Sequence, residues 1–249
     1  MPDDVLLSIE SVAKRFQRVV AVAEVSLTVR RGELVGLIGP NGAGKSTTLA
    51  MCCGDLLPDR GRVLVAGRDV AEDPLAARRA LGYVPQRLTL FPFLTGAELL
   101  AFVAEVKGLP PEAARAETDD LLARLDLAEA RDRLTREYSE GMARKLSVAA
   151  ALVGRPPLLV LDESLNGLDP RAAAELKSIL RAHVAGGGAV VIAGHVLETM
   201  ERLCSRVVLL HRGAVLDDLD RSRLDRLAAE GRTLEDHYLT ATAAAAARR

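Results

Sequence analysis

The chain has 249 residues, 49% hydrophobic and 27% charged, a composition that excludes disorder of the whole chain. A formal net charge of -1 argues against broad attraction to nucleic acid or anionic lipid, and no nucleic-acid partner is expected. The 3 cysteines, two of them adjacent at Cys52 and Cys53, form neither a disulfide framework nor a paired metal-ligand spacing, and read as small buried apolar residues in a reducing compartment.

The opening segment "MPDDVLLSIE" is acidic and has no basic stretch leading into an apolar one, so it does not read as a signal peptide and a cytosolic location is expected. From Val5 to Leu37 the stretches "LLSIESVAKRF", "VVAVAEVSLTV" and "ELVGLIG" read as strands rich in β-branched residues, with "RRGE" as a turn. Between Ala71 and Gly154 the pattern becomes helical, with Leu99, Phe102, Val103 and Val106 on one face and Thr95 with Glu98 as a capping box. Buried-strand signals return at "LLVLD", "AVVIAG" and "RVVLLH", separated by helical segments, which is the alternation of a parallel-sheet α/β core. The tail "TATAAAAARR" is low-complexity, read as a frayed helix or as disorder, and is given no function. Apolar runs such as "GAVVIAG" fall far short of the roughly 18 residues that span a bilayer, so a membrane role would act through another chain.

The stretch "LVGLIGPNGAGKSTTL" holds G-x-x-x-x-G-K-S at Gly39, Gly44, Lys45 and Ser46, after an apolar strand and before a helical segment. Glycines there let backbone N–H groups close round phosphate oxygens, and the helix N-terminus adds partial positive charge. Lys45 reaches the β and γ phosphates and the Ser46 hydroxyl can ligate Mg²⁺. A chance glycine-rich turn would lack that flanking strand and helix. Such a loop leaves kinase, GTPase and ATPase open. In "LLVLDESLNGLD", the apolar run Leu158 to Leu161 delivers Asp162 to the end of a buried strand, with Glu163 beside it. Two carboxylates at that place suggest a metal partner and a base for water. Two solvated acids at a strand end would be the plain reading without the phosphate loop upstream.

Taken in order along nearly the whole chain, these residues resemble the ATP-binding subunit of an ABC transporter, of the exporter type. Gln86 in "LGYVPQ" resembles the family's Q-loop, "YSEGM" with Ser139, Glu140, Gly141 and Met142 the signature loop, "LNGLD" the D-loop with Asp169, and His195 in "AGHVLE" the switch histidine. Phe16 stands where an aromatic residue stacks on adenine. Each later motif is weak alone; their order gives the specificity. The resemblance implies an α/β fold: a P-loop NTPase (RecA-like) core with an N-terminal antiparallel β subdomain and an inserted α-helical subdomain. Residues 1–220 would form one ATPase domain, with the helical subdomain at about 88–153 and a tail at 221–249.

It further implies ATP and Mg²⁺ as cofactors. Phe16 and the loop residues Gly39, Pro40, Asn41, Gly42, Ala43, Gly44, Lys45, Ser46 and Thr47 would bind nucleotide, and Ser46, Gln86 and Asp162 the metal. Lys45, Glu163 and His195 would be catalytic, Glu163 as general base and His195 at the γ-phosphate. A second cassette is implied as partner, head to tail, with Ser139 and Gly141 of one chain capping the nucleotide of the other. A separate transmembrane permease is implied too, holding the pair at the inner face of the membrane. The segment after the Q-loop resembles that of exporter cassettes, and its Leu90, Phe91, Phe93 and Leu94 read equally as core or as the lining of a docking groove. "TLEDHYLTAT" also resembles the closing segment of exporter cassettes. Departures are Ser164-Leu165, where Pro-Thr is usual, Ala193-Gly194, where serine or threonine precedes the histidine, and Glu140, where glycine is common. An ABC ATPase without a membrane partner, such as an iron–sulfur assembly factor, is the alternative, as is a regulatory cassette that binds ATP without turning it over.

Overall fold

In the computed structural model, which describes residues 4–88, 90–165 and 168–247, the β-branched opening folds into a long hairpin. Strands β1 (Val5–Phe16) and β2 (Val19–Arg30) pair antiparallel from Leu7↔Val29 to Phe16↔Val19, and bury Val12, Val22, Val25 and Val29. After the turn at Arg31 and Gly32, β3 (Leu34–Ile38) is buried throughout and leads through a glycine-rich loop into α1 (Lys45–Cys52). Next, β4 (Arg60–Val65) and β5 (Arg68–Asp69) extend the hairpin on its outer edge.

A short helix, α2 (Pro74–Arg79), precedes β6 (Leu81–Val84), and the helical block follows as α3 (Gly96–Val106), α4 (Pro111–Arg124) and α5 (Glu140–Leu152). The chain then alternates: β7 (Leu158–Asp162), α6 (Pro170–Ala185), β8 (Ala189–Gly194), α7 (Leu197–Leu203), β9 (Arg206–His211) and β10 (Ala214–Asp220). Two helices close the chain, α8 (Arg221–Ala229) and α9 (Leu234–Ala247).

Among the described residues the strands form one 10-stranded sheet in the order β5-β4-β1-β2-β10-β9-β3-β8-β7-β6. Strands β6, β7, β8, β3 and β9 run parallel and the β1, β2, β4, β5 end is antiparallel. The fold is thus a P-loop NTPase core with an N-terminal β subdomain and an inserted helical subdomain. Period-2 alternation of side chains puts each parallel strand into both hydrophobic cores. In β7, Leu158 and Val160 join the cluster under α1 and the β hairpin, while Leu159 and Leu161 join the cluster under the helical block. Register brings strand ends together: Ile38 pairs with Gly194 and Asp162 with Ala193, so the segments after β3, β7 and β8 emerge at one end of the sheet.

Two expectations change. The stretch from Ala71 to Gly154 is not wholly helical, because β6 adds an edge strand on β7; four residues, "LGYV", carry too little pattern to stand out. In α3 the capping box is present, with Glu98 N–H donating to Thr95 Oγ1 at 3.1 Å and Thr95 N–H to Glu98 Oε2 at 2.8 Å. Its buried face, however, is Leu99, Leu100 and Ala104, whereas Phe102 and Val106 are exposed. The tail is helical as far as Ala247, and Leu224 and Leu234 of the closing helices enter the core under the helical block. Among the described residues no helix is long and apolar enough to cross a membrane.

Candidate nucleotide site

The loop between β3 and α1 is held tightly from behind. A Cβ on Gly39 would meet the Leu210 carbonyl oxygen, so only glycine lets the loop lie against β9. Gly44 caps α1 with φ 102, a left-handed conformation that favours glycine. The Gly213 N–H donates to the Ala43 carbonyl at 3.0 Å, and the Gly213 carbonyl accepts from Ala23 N–H at 2.7 Å, tying the loop to β2. Pro40, Asn41 and Gly42 form the exposed rim, Ala43 is buried beneath it, and Ser46 and Thr47 open the helix. Lys45 is buried, its Nζ donating to the Gly39 carbonyl at 2.7 Å and the Pro40 carbonyl at 3.2 Å, which spreads the ammonium across the loop mouth. The cleft there has a volume of about 290 Å³, with Asn41, Lys45, Ser46, Thr47, Gln86 and Glu163 in its walls.

The acidic side comes from the end of β7. Burial pushes the Asp162 carboxyl above the usual carboxylate range; the Ser46 hydroxyl draws it back, neighbouring Glu163 raises it further, and Lys45 lowers it. Asp162 Oδ1 is buried and has no hydrogen-bond partner among the described residues. An acceptor left in that state, in reach of a serine hydroxyl at a phosphate loop, fits a divalent cation coordinated by oxygen. Glu163 has a positive φ of 49 and its N–H donates to the Ala193 carbonyl at 3.1 Å, so β8 holds a backbone conformation few non-glycine residues adopt. The side chain is thereby turned to the cleft. Glu163 Oε1 lies 3.7 Å from Lys45 Nζ. Its Oε2 accepts from Gln86 Nε2 at 3.2 Å and lies 3.5 Å from His195 Nδ1. Four segments of the chain therefore meet at one carboxylate.

The departures from the common motif have local reasons. Ser164 is fully buried, its hydroxyl donating to the Val84 carbonyl at 3.4 Å and the Asp162 carbonyl at 3.3 Å, so it stitches β6 to β7 behind the acids. At Gly194 a Cβ would meet Met200 Cε; the methionine methyl fills the space a serine or threonine would take.

Other sequence-named residues lie apart from the cleft. Phe16 ends β1 at the hairpin tip, 46% exposed, and is not among the cleft walls. Ser139 caps α5, its hydroxyl accepting from Met142 N–H at 3.2 Å. Glu140 and Gly141 begin that helix, with Glu140 76% exposed and open space where a Gly141 Cβ would project. Asp169 caps α6 by accepting from Arg171 and Ala172 N–H, both at 3.0 Å, and the Ala172 bond leads in holding its carboxyl below the usual range. Asn166 and Gly167 of the D-loop stretch lie outside the described residues. Sequence reasoning missed Arg144, which donates to the Gln86 carbonyl at 3.3 Å, and Gly213 behind the phosphate loop. Spacing alone did not point to either, because both act through backbone groups distant in sequence.

A glycine-rich loop with a buried lysine, facing a strand-end Asp-Glu pair on a parallel sheet, defines a Walker-type P-loop NTPase, the fold class of ATP-hydrolysing ABC ATPases. The family model described as ABC transporter matches residues 22–166, more than half of the chain, and the chain belongs to that family. It is 36% identical over 215 residues to the lipopolysaccharide export system ATP-binding protein LptB of Haemophilus influenzae, covering 85% of this chain and 89% of that one. It is also 42% identical over 199 residues to the phospholipid-transporting ATPase ABCA7 of Homo sapiens, covering 80% of this chain but 9% of that protein's length. A solved structure described as the ATP binding subunit of an ABC transporter superposes with a TM-score of 0.88 at 32% identity, covering 95% of this chain and 99% of that one.

Proposed function

We propose that this chain binds and hydrolyses ATP to drive an exporter, acting as one of a pair of cassettes on a separate transmembrane permease at the inner face of the membrane. The observation that carries the hydrolytic reading is the surround of Glu163: Lys45 at 3.7 Å, Gln86 at 3.2 Å and His195 at 3.5 Å. Backbone N–H groups of the loop from Asn41 to Thr47 and the Lys45 ammonium take the phosphates, and Phe16 packs on the base from the hairpin tip. Ser46, Gln86 and Asp162 are the side chains that would hold Mg²⁺, which neutralises charge on the β and γ phosphates when bound.

Glu163 then accepts the proton of the attacking water as its oxygen bonds to the γ-phosphorus and the bond to the ADP oxygen breaks. His195, beside the same carboxylate, contacts the γ-phosphate and holds the water in line. The hydroxyl of Ser139 and the open backbone at Gly141, followed by Met142, face the nucleotide of the second cassette. Asp169 stands at the same seam.

Export is the direction named for the lipopolysaccharide relative, and the ABCA7 relative is named for phospholipid transport, which together favour an exporter. The exposed aromatics Phe91 and Phe93 after the Q-loop suit a docking face for the permease. Phosphate release measured against protein concentration tests the paired mechanism. Specific activity is expected to rise until dimers form; constant specific activity in a demonstrably monomeric preparation overturns it. Copurification with a multi-span membrane protein encoded beside this chain tests the transport reading.

A further inference from the structure

One buried charge has no part in that mechanism. Arg144, one turn into α5, is 7% exposed. Its Nη1 donates to the Gln86 carbonyl at 3.3 Å, and its Nη2 lies 4.0 Å from Glu140 Oε1. Its Nε is buried and has no hydrogen-bond partner among the described residues.

A guanidinium presents five N–H donors in a rigid plane, and burying it with a donor unused is costly. The arrangement is therefore unfinished: one fixed charge lies between a loop carbonyl and a carboxylate, with a donor to spare. Gln86 also reaches in the other direction, its side chain donating to Glu163 Oε2 at 3.2 Å. A line of contacts thus runs within one chain from Glu163 through Gln86 and Arg144 to Glu140. Glutamate four residues before arginine on a helix is the favourable order for such a pair.

We propose that Arg144 is a positioning residue: it holds the Gln86 loop by its carbonyl and passes the position of that loop to the first turn of α5 through Glu140. The inference rests on the reading of Glu163 as hydrolytic base and of Ser139 to Met142 as the signature. When nucleotide draws the Gln86 side chain off Glu163, the carbonyl behind it shifts against Arg144. The guanidinium then redistributes its donors between that carbonyl and Glu140, turning the end of α5 that the second cassette would meet. Glu140 is in this account the counter-charge of Arg144 and no brake on turnover.

The test uses the full chain with Arg144→Gln, Arg144→Lys, Glu140→Gln and the double variant Glu140→Gln/Arg144→Gln. Amide hydrogen exchange at Gln86, Arg87 and Leu88, without nucleotide, reads the loop directly and needs no turnover. Arg144→Gln is expected to speed that exchange and to lower kcat by about tenfold while KM moves by less than about threefold. Arg144→Lys keeps the charge but not the fork, and is expected to fall between, which carries the test if the glutamine variant does not fold. Glu140→Gln alone is expected to lower kcat by about twofold, and to do nothing further once Arg144 is glutamine. Unchanged exchange at all three amides in a folded Arg144 variant overturns the inference, and additive effects of the two substitutions overturn the link to Glu140. Wild-type protein that binds ATP without hydrolysing it refutes the hydrolytic reading instead, and the exchange result still decides the role of Arg144.

Discussion

The ends of β3, β7 and β8 and the start of α5 are built to opposite degrees of completion. At the strand ends Lys45, Gln86 and His195 already surround Glu163, at 3.7, 3.2 and 3.5 Å. At α5, among the described residues, the Ser139 hydroxyl bonds only within its own helix, to Met142 N–H at 3.2 Å, and Gly141 faces open space. Physical chemistry accounts for the contrast. Charges at a buried strand end cost several kcal/mol each unless they are paired, so that half must be assembled within the chain. Helix N-terminal N–H groups exposed to water cost little, so the other half can wait for an anion brought to it. On the proposed mechanism, the charge-handling half is intrinsic to one chain, and the signature half would receive the nucleotide held by another.

Substitutions in the two regions should therefore separate binding from turnover. Glu163→Gln is expected to lower kcat by roughly 10²–10⁴-fold, the span of general-base catalysis, while ATP binding persists and the paired state becomes more stable. Phosphate release and ATP binding on the same preparation check this, and turnover near the wild-type rate removes Glu163 as base. Gly141→Asp should cost about 10²-fold in turnover, because it puts a carboxylate where phosphate is to be received. Among the described residues, nothing beyond its chain neighbours and its own helix backbone stands within 4 Å of a Cβ at Gly141, so its thermal unfolding and single-chain ATP binding are expected to stay at wild-type values. Loss of single-chain binding in that variant would erase the contrast between the two regions.

Legibility followed the same division. The strand-end half was readable because its residues sit in consecutive motifs, each after a nearly continuous apolar run: Leu34 to Ile38 before the phosphate loop and Leu158 to Leu161 before Asp162. The sheet core was readable for the same reason. What stayed hidden were edges and crossings. Strand β6 has four residues, and β10 is paired to β2 at the single register Ala214↔Glu24, so neither carries a pattern of its own. On α3 the sequence put Phe102 and Val106 with Leu99, but tertiary packing took Leu99, Leu100 and Ala104 and left both outside. Arg144 was silent because its acceptor is a backbone carbonyl 58 residues away.

The Glu140 carboxylate is 76% exposed and lies 4.0 Å from Arg144 Nη2. At the first turn of a helix it gains from the macrodipole, an effect of about 0.3 to 1 kcal/mol at an exposed site. Glu140→Gly is accordingly expected to change turnover by less than about threefold. A tenfold rise would show that the charge restrains the signature turn and that this half is less open than it looks.

The smallest effect concerns how the far end of α5 is held. The Val153 carbonyl, at the C-cap, accepts from Lys107 Nζ at 2.6 Å. Burial pulls Lys107 down to about 8, with nearby Glu117 drawing it partly back. An unfolded lysine titrates near 10.4, so from about pH 8 to 10.4 the unfolded chain binds a proton that the folded chain has released. Stability contributed at this site therefore rises with pH across that window, and the penalty for burying the charge is fully present below it. Lys107→Met removes the titration together with the bond. The Tm of wild type minus that of Lys107→Met should thus grow by about 1–3 °C between pH 7.5 and 9.5, other titrations cancelling in the difference. A difference that stays flat with pH would mean that the ammonium is well solvated and carries no burial penalty.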